Sequence, residues 1–450
     1  MIISKNLRNF LILLNIYLIL EGLNYLNHVI QYEKISQIEK HKKNKKDKKK
    51  INLHAKIIKE DIVNHFKNVD TNMDIIFGGK TKNLSKNHIH DLLVKIIYAP
   101  YHENITKSKE IIEIIDKYEK QSNIILPEIQ INQPNQQNQL NQPIQPHQFD
   151  QLDQSANLNQ YLTNHDSIKA WYKPLPMLFT FEIILLFSDM MMFSKGFSKI
   201  THDNGLIIWF KEGTSKKTNA IIFLHAGAGG ILVQSDFINK LPNTHTIIIP
   251  EIPGIAFGSR VFIPPTIREI SNTLVDFVIN MRISDLQLIS HSFGGNIISC
   301  IINNYIEKLE QNDIKIINTT LIEPIIFLPS LFPVYNLLNE EININDVVKI
   351  ITNDSSKIFS YILIFRDIYA QYYSKCLTMS DVLMGTTEYE KNNCINVVLS
   401  ENDELYSAAE CEHYLKSKKY NCNIIMRKNN CHGDFCFNKE THDIVINLIK

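Results

Sequence analysis

The chain carries no excess charge of either sign: 47 lysines and arginines balance 47 aspartates and glutamates over 450 residues. A balanced chain sets up no overall field to draw nucleic acid or an acidic membrane, so a charged partner has to be recognised locally. A disulfide framework is missing too. The seven cysteines are an odd set scattered between Cys300 and Cys436, without the short even spacing of a cross-linked secreted scaffold. This usage points to a reducing, intracellular compartment. The third absence is a long unbroken apolar run near the start. Residues 10–20 are apolar apart from Asn15 and follow Lys5 and Arg8, as at the head of a signal peptide or anchor. Glu21, Asn24, Asn27 and His28 then interrupt the continuation to Ile30, whereas a spanning helix needs about 20 mostly apolar residues. The expectation is an amphipathic segment packed on protein; a signal anchor, or an interfacial helix touching membrane through residues 7–30, is the alternative.

What is present divides the chain. Residues 1–50 hold that apolar segment and a lysine-rich stretch at 41–50, which repels itself into a solvated linker or, as the alternative, rests on anionic lipid. Residues 51–125 carry helix-like apolar spacing, as in Ile111, Ile112, Ile114 and Ile115 before Tyr118, and predict a small helical region without assignable chemistry. Residues 126–164 are rich in Gln, Asn and Pro and hold too few apolar groups to offset the entropy of folding, so a disordered linker is expected. Residues 177–193 are strongly apolar, but Glu182 and Asp189 favour a buried or cap-facing helix over a membrane span. From about residue 205, short β-branched runs alternate with longer helical periods, at 206–210, 220–224, 246–250, 286–290, 317–322, 395–400 and 423–427. That alternation predicts an α/β domain over 165–450 with a mostly parallel sheet covered on both faces.

One run carries chemistry. Residues 286–290 form an apolar strand that meets His291-Ser292-Phe293-Gly294-Gly295 and then an amphipathic stretch at 296–309. A serine at a strand-to-helix turn adopts a strained backbone that lifts its hydroxyl above the sheet, and small residues are needed two positions to either side. Ser290 and Gly294 occupy those positions. A serine hydroxyl is inert without a base in hydrogen-bond reach and a third group to hold that base. Asp403 follows the run at 395–400 in the loop Glu401-Asn402-Asp403-Glu404, and His432 follows the run at 423–427 in Cys431-His432-Gly433-Asp434. Upstream, the run at 220–224 leads into His225-Ala226-Gly227-Ala228-Gly229-Gly230, a turn in which backbone amides can converge.

These pieces resemble the α/β-hydrolase superfamily. Ser290-His291-Ser292-Phe293-Gly294 is similar to its G-x-S-x-G nucleophile elbow, with serine for the first glycine. The order serine, acid, histidine is also the superfamily's. The resemblance implies Ser292 as nucleophile, His432 as base and Asp403 as the orienting acid, with Glu323, after the run at 317–322, as a rival acid. It implies an oxyanion hole from the amides of Ala226 and Phe293, because residues 225–230 resemble the superfamily's H-G-x-G loop. It further implies an eight-stranded-type sheet and a helical lid at about 324–392, including the aliphatic and aromatic stretch 358–373. The expected activity is cleavage of an ester-like bond in a small-molecule or lipid-like acyl substrate, with no cofactor and no metal. The alternative is a silent binding module on the same fold, or a membrane-tethered interaction protein.

Two rival readings of the motifs fail in detail. A dinucleotide site at Gly227 and Gly229 wants a third glycine where Leu232 stands, and its ribose-binding acid, Glu251, lies inside Pro250-Glu251-Ile252-Pro253-Gly254, which resembles the superfamily's loop after the fourth strand. Cys431, His432 and Cys436 are three close zinc-type ligands lacking a partner pair to complete a tetrahedron.

Overall fold

The computed structural model describes residues 5–36, 170–215, 218–227, 229–255, 263–327, 329–330, 367–376, 379–384, 393–417 and 421–449, with Lys86, His90 and six residues between Ile112 and Lys120. The expected helical region at 51–125, apart from those eight residues, and the expected disordered linker up to residue 164 lie outside the described residues, as do 331–366 of the expected lid.

Eight strands form one sheet: β1 (Ser198–Thr201), β2 (Ile207–Lys211), β3 (Asn219–Leu224), β4 (Thr246–Glu251), β5 (Asp285–His291), β6 (Lys315–Ile322), β7 (Ile395–Ser400) and β8 (Cys422–Arg427). Their order is β1-β2-β4-β3-β5-β6-β7-β8. The β1/β2 and β2/β4 pairs are antiparallel and the other five are parallel. Seven of these strands coincide with the β-branched runs within a residue or two. The eighth, β1, escapes the sequence because Ser-Lys-Ile-Thr is a four-residue edge strand with three exposed positions and no apolar alternation.

Side chains of alternate strand residues feed two cores. On one face Ile208, Ile222, Ile248, Leu288 and Leu321 pack with Leu274 and Val278 of α3 (Ile267–Asn280) and Ile297 and Ile301 of α4 (Gly295–Glu310). On the other face Trp209, Ile221, Phe223, Ile249, Ile289 and Val398 pack with Met192, Phe237, Phe435 and Val445. Helix α3 starts on a capping box: Thr266 Oγ1 accepts from the Glu269 amide at 3.2 Å and Glu269 returns a carboxylate oxygen to the Thr266 amide at 2.7 Å. Such caps contribute about 1 kcal/mol each.

Two N-terminal helices flank this body, α1 (Lys5–Ser36) and α2 (Leu175–Ser194). Helix α1 exceeds the apolar segment read from sequence; among its described side chains Gln31 and Ile35 are buried, and Glu21 and Asn24 bond to Tyr172 ahead of α2. Of the two expectations for α2, a buried or a cap-facing helix, the structure corrects the first. The helix buries a single stripe, Phe181, Leu185, Ser188 and Met192, and leaves most of its apolar side chains outside. Its two acids do not oppose exposure: Glu182 faces solvent and Asp189 pairs with Lys199 at 2.7 Å.

Inside the expected lid, α5 (Ile368–Cys376) brings Tyr369, Tyr372 and Tyr373 into the first core. Gln31 of α1 donates to the Tyr369 hydroxyl at 3.4 Å, and the Tyr373 ring meets Phe293 at 5.5 Å. A Cβ on Gly254, which has φ +78°, would fall 2.3 Å from Tyr369, so the turn after β4 is glycine where α5 closes on it.

Candidate active site

The sheet order reverses direction around β3: the chain leaves β3 for β4 on one side, and β5 pairs on the other. Ligands of open α/β sheets bind at such a point, beyond the carboxyl ends of the strands. Leu224 of β3 is in register with Ser290 of β5, and His291 with Ile322 of β6. The loops after β3, β5 and β6 therefore emerge side by side. Those after β7 and β8 join them, because Ser400 pairs with Arg427.

At the end of β5 the chain turns through a single 3-10 turn, Ser292–Gly294, into α4. Ser292 sits at φ 50°, in the left-handed region that a residue with a side chain rarely adopts. That is the strained turn the sequence predicts. A Cβ on Gly294 would come 2.4 Å from the carbonyl oxygen of Leu224. The neighbouring strand is backbone and cannot yield, so Gly294→Ala is expected to destabilise the fold by about 1–3 kcal/mol, the usual range for overpacking. A thermal melt checks it: a clear fall in Tm is the expected result, and no fall would mean the turn relaxes freely. Ser290, in the other small-residue position, is fully buried and its hydroxyl has no hydrogen-bond partner among the described residues.

Ser292 Oγ lies 2.8 Å from His432 Nε2, and His432 Nδ1 lies 2.7 Å from Asp403 Oδ2. Serine, imidazole and carboxylate thus make one continuous hydrogen-bonded row, drawn from the ends of β5, β8 and β7. Glu323, the rival acid, stands 3.9 Å from the same ring nitrogen. It is occupied elsewhere: it accepts from the Gly433 amide at 2.6 Å, from Ser400 Oγ at 2.6 Å and faces His291 Nε2 at 2.9 Å. The two neighbours of Asp403 have comparable uses. Glu404 accepts the His432 amide at 3.0 Å and Glu401 the Asn429 amide at 2.9 Å. Glu323, Glu401 and Glu404, with Asp434 accepting from the Cys431 amide at 2.7 Å, therefore pin the backbone of the histidine loop, and Asp403 takes its ring. Gly433, at φ +86°, allows the left-handed turn that presents its amide to Glu323.

The charges follow from this packing. Burial works to lower the His432 pKa, but the hydrogen-bonded Asp403 carboxylate, with Glu323 and Glu404 behind it, outweighs burial and raises it to about 9. Burial alone would raise the Glu323 pKa; its bond to His291 and the nearby imidazoles bring it down to about 2. A second layer, Gln234 Nε2 to His291 Nδ1 at 3.2 Å, continues inward from Glu323. Sequence offers no local signal for that chain, since its members lie 57 and 32 residues apart.

Ala226 is buried in the loop after β3, where Gly294 and Leu224 make their close approach. Its carbonyl is held by His225 Nδ1 at 2.7 Å, while His225 Nε2 accepts from the Ile252 amide at 3.0 Å. An acceptor at Nε2 puts the ring proton on Nδ1, and burial keeps this imidazole neutral by lowering its pKa to about 4. His225 thus ties the β3 loop to the β4 loop. Glu251, the residue a dinucleotide site would have used, accepts from Trp209 Nε1 at 3.2 Å. His432 has both ring nitrogens engaged within the row, and Cys436 is buried with its sulfur 3.9 Å from His291 Nδ1.

No protein-family model and no curated protein matches the sequence. Among solved structures, a carboxylesterase of the thaumarchaeon Nitrososphaera gargenis is 12% identical, with 56% of this chain and 97% of that one covered and a TM-score of 0.38. A bacterial membrane phospholipase A is 12% identical over 59% and 90% at 0.41. A haloalkane dehalogenase of Bradyrhizobium elkani is 11% identical over 56% and 94% at 0.39. Similarity of that size decides neither reaction nor substrate. The architecture rests on the sheet itself: with the order β1-β2-β4-β3-β5-β6-β7-β8, β2 antiparallel to its neighbours and a sharp serine turn after β5, the chain has the α/β-hydrolase fold.

Proposed function

We propose that the protein is a serine hydrolase that cleaves an ester-like bond in a small-molecule or lipid-like acyl substrate. The observation that carries this reading is the unbroken row from Ser292 Oγ through the His432 ring to Asp403, at 2.8 and 2.7 Å. In the reaction, His432 Nε2 takes the proton of Ser292 as Oγ bonds to the carbonyl carbon. The carbonyl oxygen becomes an oxyanion, held by the amides of Ala226 and Phe293, each such donor being worth roughly 3–4 kcal/mol in hydrolases of this kind. Nε2 then gives its proton to the leaving oxygen, the C–O bond breaks, and the acyl group stays on Ser292. Water attacks that ester with His432 again as base, and the acid leaves. Asp403 keeps Nδ1 protonated and steadies the imidazolium that forms twice in the cycle. No cofactor or metal enters these steps.

The proposed base has to be neutral to act, and its pKa is raised to about 9. Below that value the imidazole is protonated, so kcat/KM on a short-chain aryl ester is expected to rise with pH and reach half its plateau near 9. A series of initial rates from neutral to alkaline pH tests this. A rate that is flat or falling across that interval contradicts the assigned base.

A further inference from the structure

We propose that α1 and α2 together form a docking face for the surface of a phospholipid bilayer with anionic headgroups. Of the 21 large hydrophobic side chains exposed among the described residues, 17 lie on these two helices. On α2 the outward residues are Phe179, Ile183, Leu186, Phe187, Met190 and Phe193, at 42–68% exposure. On α1, residues 13–20 are all exposed and Asn15 is the single polar member. The helices meet where α2 begins: Glu21 accepts from the Leu175 amide at 3.1 Å and from the Tyr172 hydroxyl, and the Tyr25 and Tyr172 rings stand 5.2 Å apart. The exposed apolar side chains are thus concentrated on two helices in contact, where an ordinary monomer scatters them singly.

The geometry favours lying in one leaflet over crossing. Helix α2 is long and apolar enough to span, but its stripe of Phe181, Leu185, Ser188 and Met192 is buried on protein and the turn at Gly196 leads directly into β1. The apolar stretch of α1 at residues 10–20 has a helical length of about 17 Å, short of the roughly 30 Å hydrocarbon core. With one side of α2 held on protein and the apolar stretch of α1 too short to span, both helices fit the headgroup boundary with their outward residues facing lipid.

Charge selects lipid over a second copy of the chain. Seven lysines and one acid, Asp47, fall within residues 41–50, a few positions along the chain from the end of α1 at Ser36, and Lys5 and Arg8 precede its apolar part. In a chain of zero net charge this is a local concentration. A second copy of the chain would add another tract of the same sign, whereas anionic headgroups neutralise it.

The test is flotation of the full chain with phosphatidylcholine vesicles, with and without a phosphatidylserine fraction, at low and high salt. The chain is expected to float with the phosphatidylserine vesicles, to be released by salt, and to bind the neutral vesicles more weakly. The paired change Leu186→Glu with Phe187→Glu, at exposed sites outside the hydrogen-bonded row of Ser292, His432 and Asp403, is expected to weaken binding at least about tenfold, and Leu18→Glu with Ile19→Glu likewise. Hydrogen exchange on the unaltered chain needs no variant: amides of α1 and α2 are expected to slow when phosphatidylserine vesicles are added. The proposal is overturned if the folded chain stays unbound, if neither pair of changes affects binding, or if α1 and α2 are protected by raising protein concentration and not by vesicles.

Discussion

Ser292→Ala is expected to lower kcat for ester hydrolysis by about 10⁵-fold or more, in the range that loss of a serine nucleophile costs in well-studied hydrolases. The proposed mechanism leaves no substitute, because the acyl group is carried on Oγ and, among the described residues, Ser292 is the hydroxyl bonded to His432 Nε2. Folding should be almost untouched: the change removes one oxygen, whose partner His432 keeps its bond to Asp403 and its amide bond to Glu404. Initial rates on a short-chain aryl ester and a thermal melt, run on the same preparation, check both halves. Loss of less than about tenfold with an unchanged melt would remove Ser292 from the chemistry.

The second large effect separates Asp403 from Glu323. Asp403→Asn is expected to cost about 10⁴-fold in kcat, as an amide opposite Nδ1 favours the wrong tautomer of the base. With the leading carboxylate gone, the His432 pKa should fall from about 9 and the pH profile should move to the acid side. Glu323→Gln is expected to do the reverse in kind. Glu323 carries three hydrogen bonds that hold Gly433, Ser400 and His291 together, so its replacement should lower stability by roughly 1–3 kcal/mol and reduce the rate far less than Asp403→Asn. Measuring kcat and Tm for both variants decides between them. A larger loss of rate at Glu323 than at Asp403 would make Glu323 the orienting acid.

Much of this site is legible in the sequence because its parts obey local rules. A strand pattern, a turn that demands small residues and an amphipathic stretch sit within about two dozen positions around Ser292, and each constraint is physical: Gly294 is glycine because Leu224 O leaves no room for a Cβ. The order of Asp403 and His432 after successive strands is readable for the same reason, since parallel strands deliver their following loops to one edge. What sequence does not reveal is the long-range bonding among side chains. Nothing in the spacing of Glu323, Glu401 and Glu404 says that each holds a backbone amide of the His432 loop, because those amides lie 28 residues or more away. Nor does it reveal the exposure of α2. Glu182 and Asp189 read as marks of a protein-covered helix, but one faces solvent and the other is paired with Lys199 on the following strand. A composition rule cannot distinguish an apolar helix that turns inward from one that turns outward.

The proposed reaction requires Ser292 to be an activated nucleophile. Incubating the folded protein with a fluorophosphonate and locating the adduct by peptide mass spectrometry tests it directly. The account predicts a single adduct on Ser292, absent in Ser292→Ala and formed much more slowly in His432→Ala. A folded protein that takes no label, or that takes it on another residue with Ser292 unmodified, would contradict it.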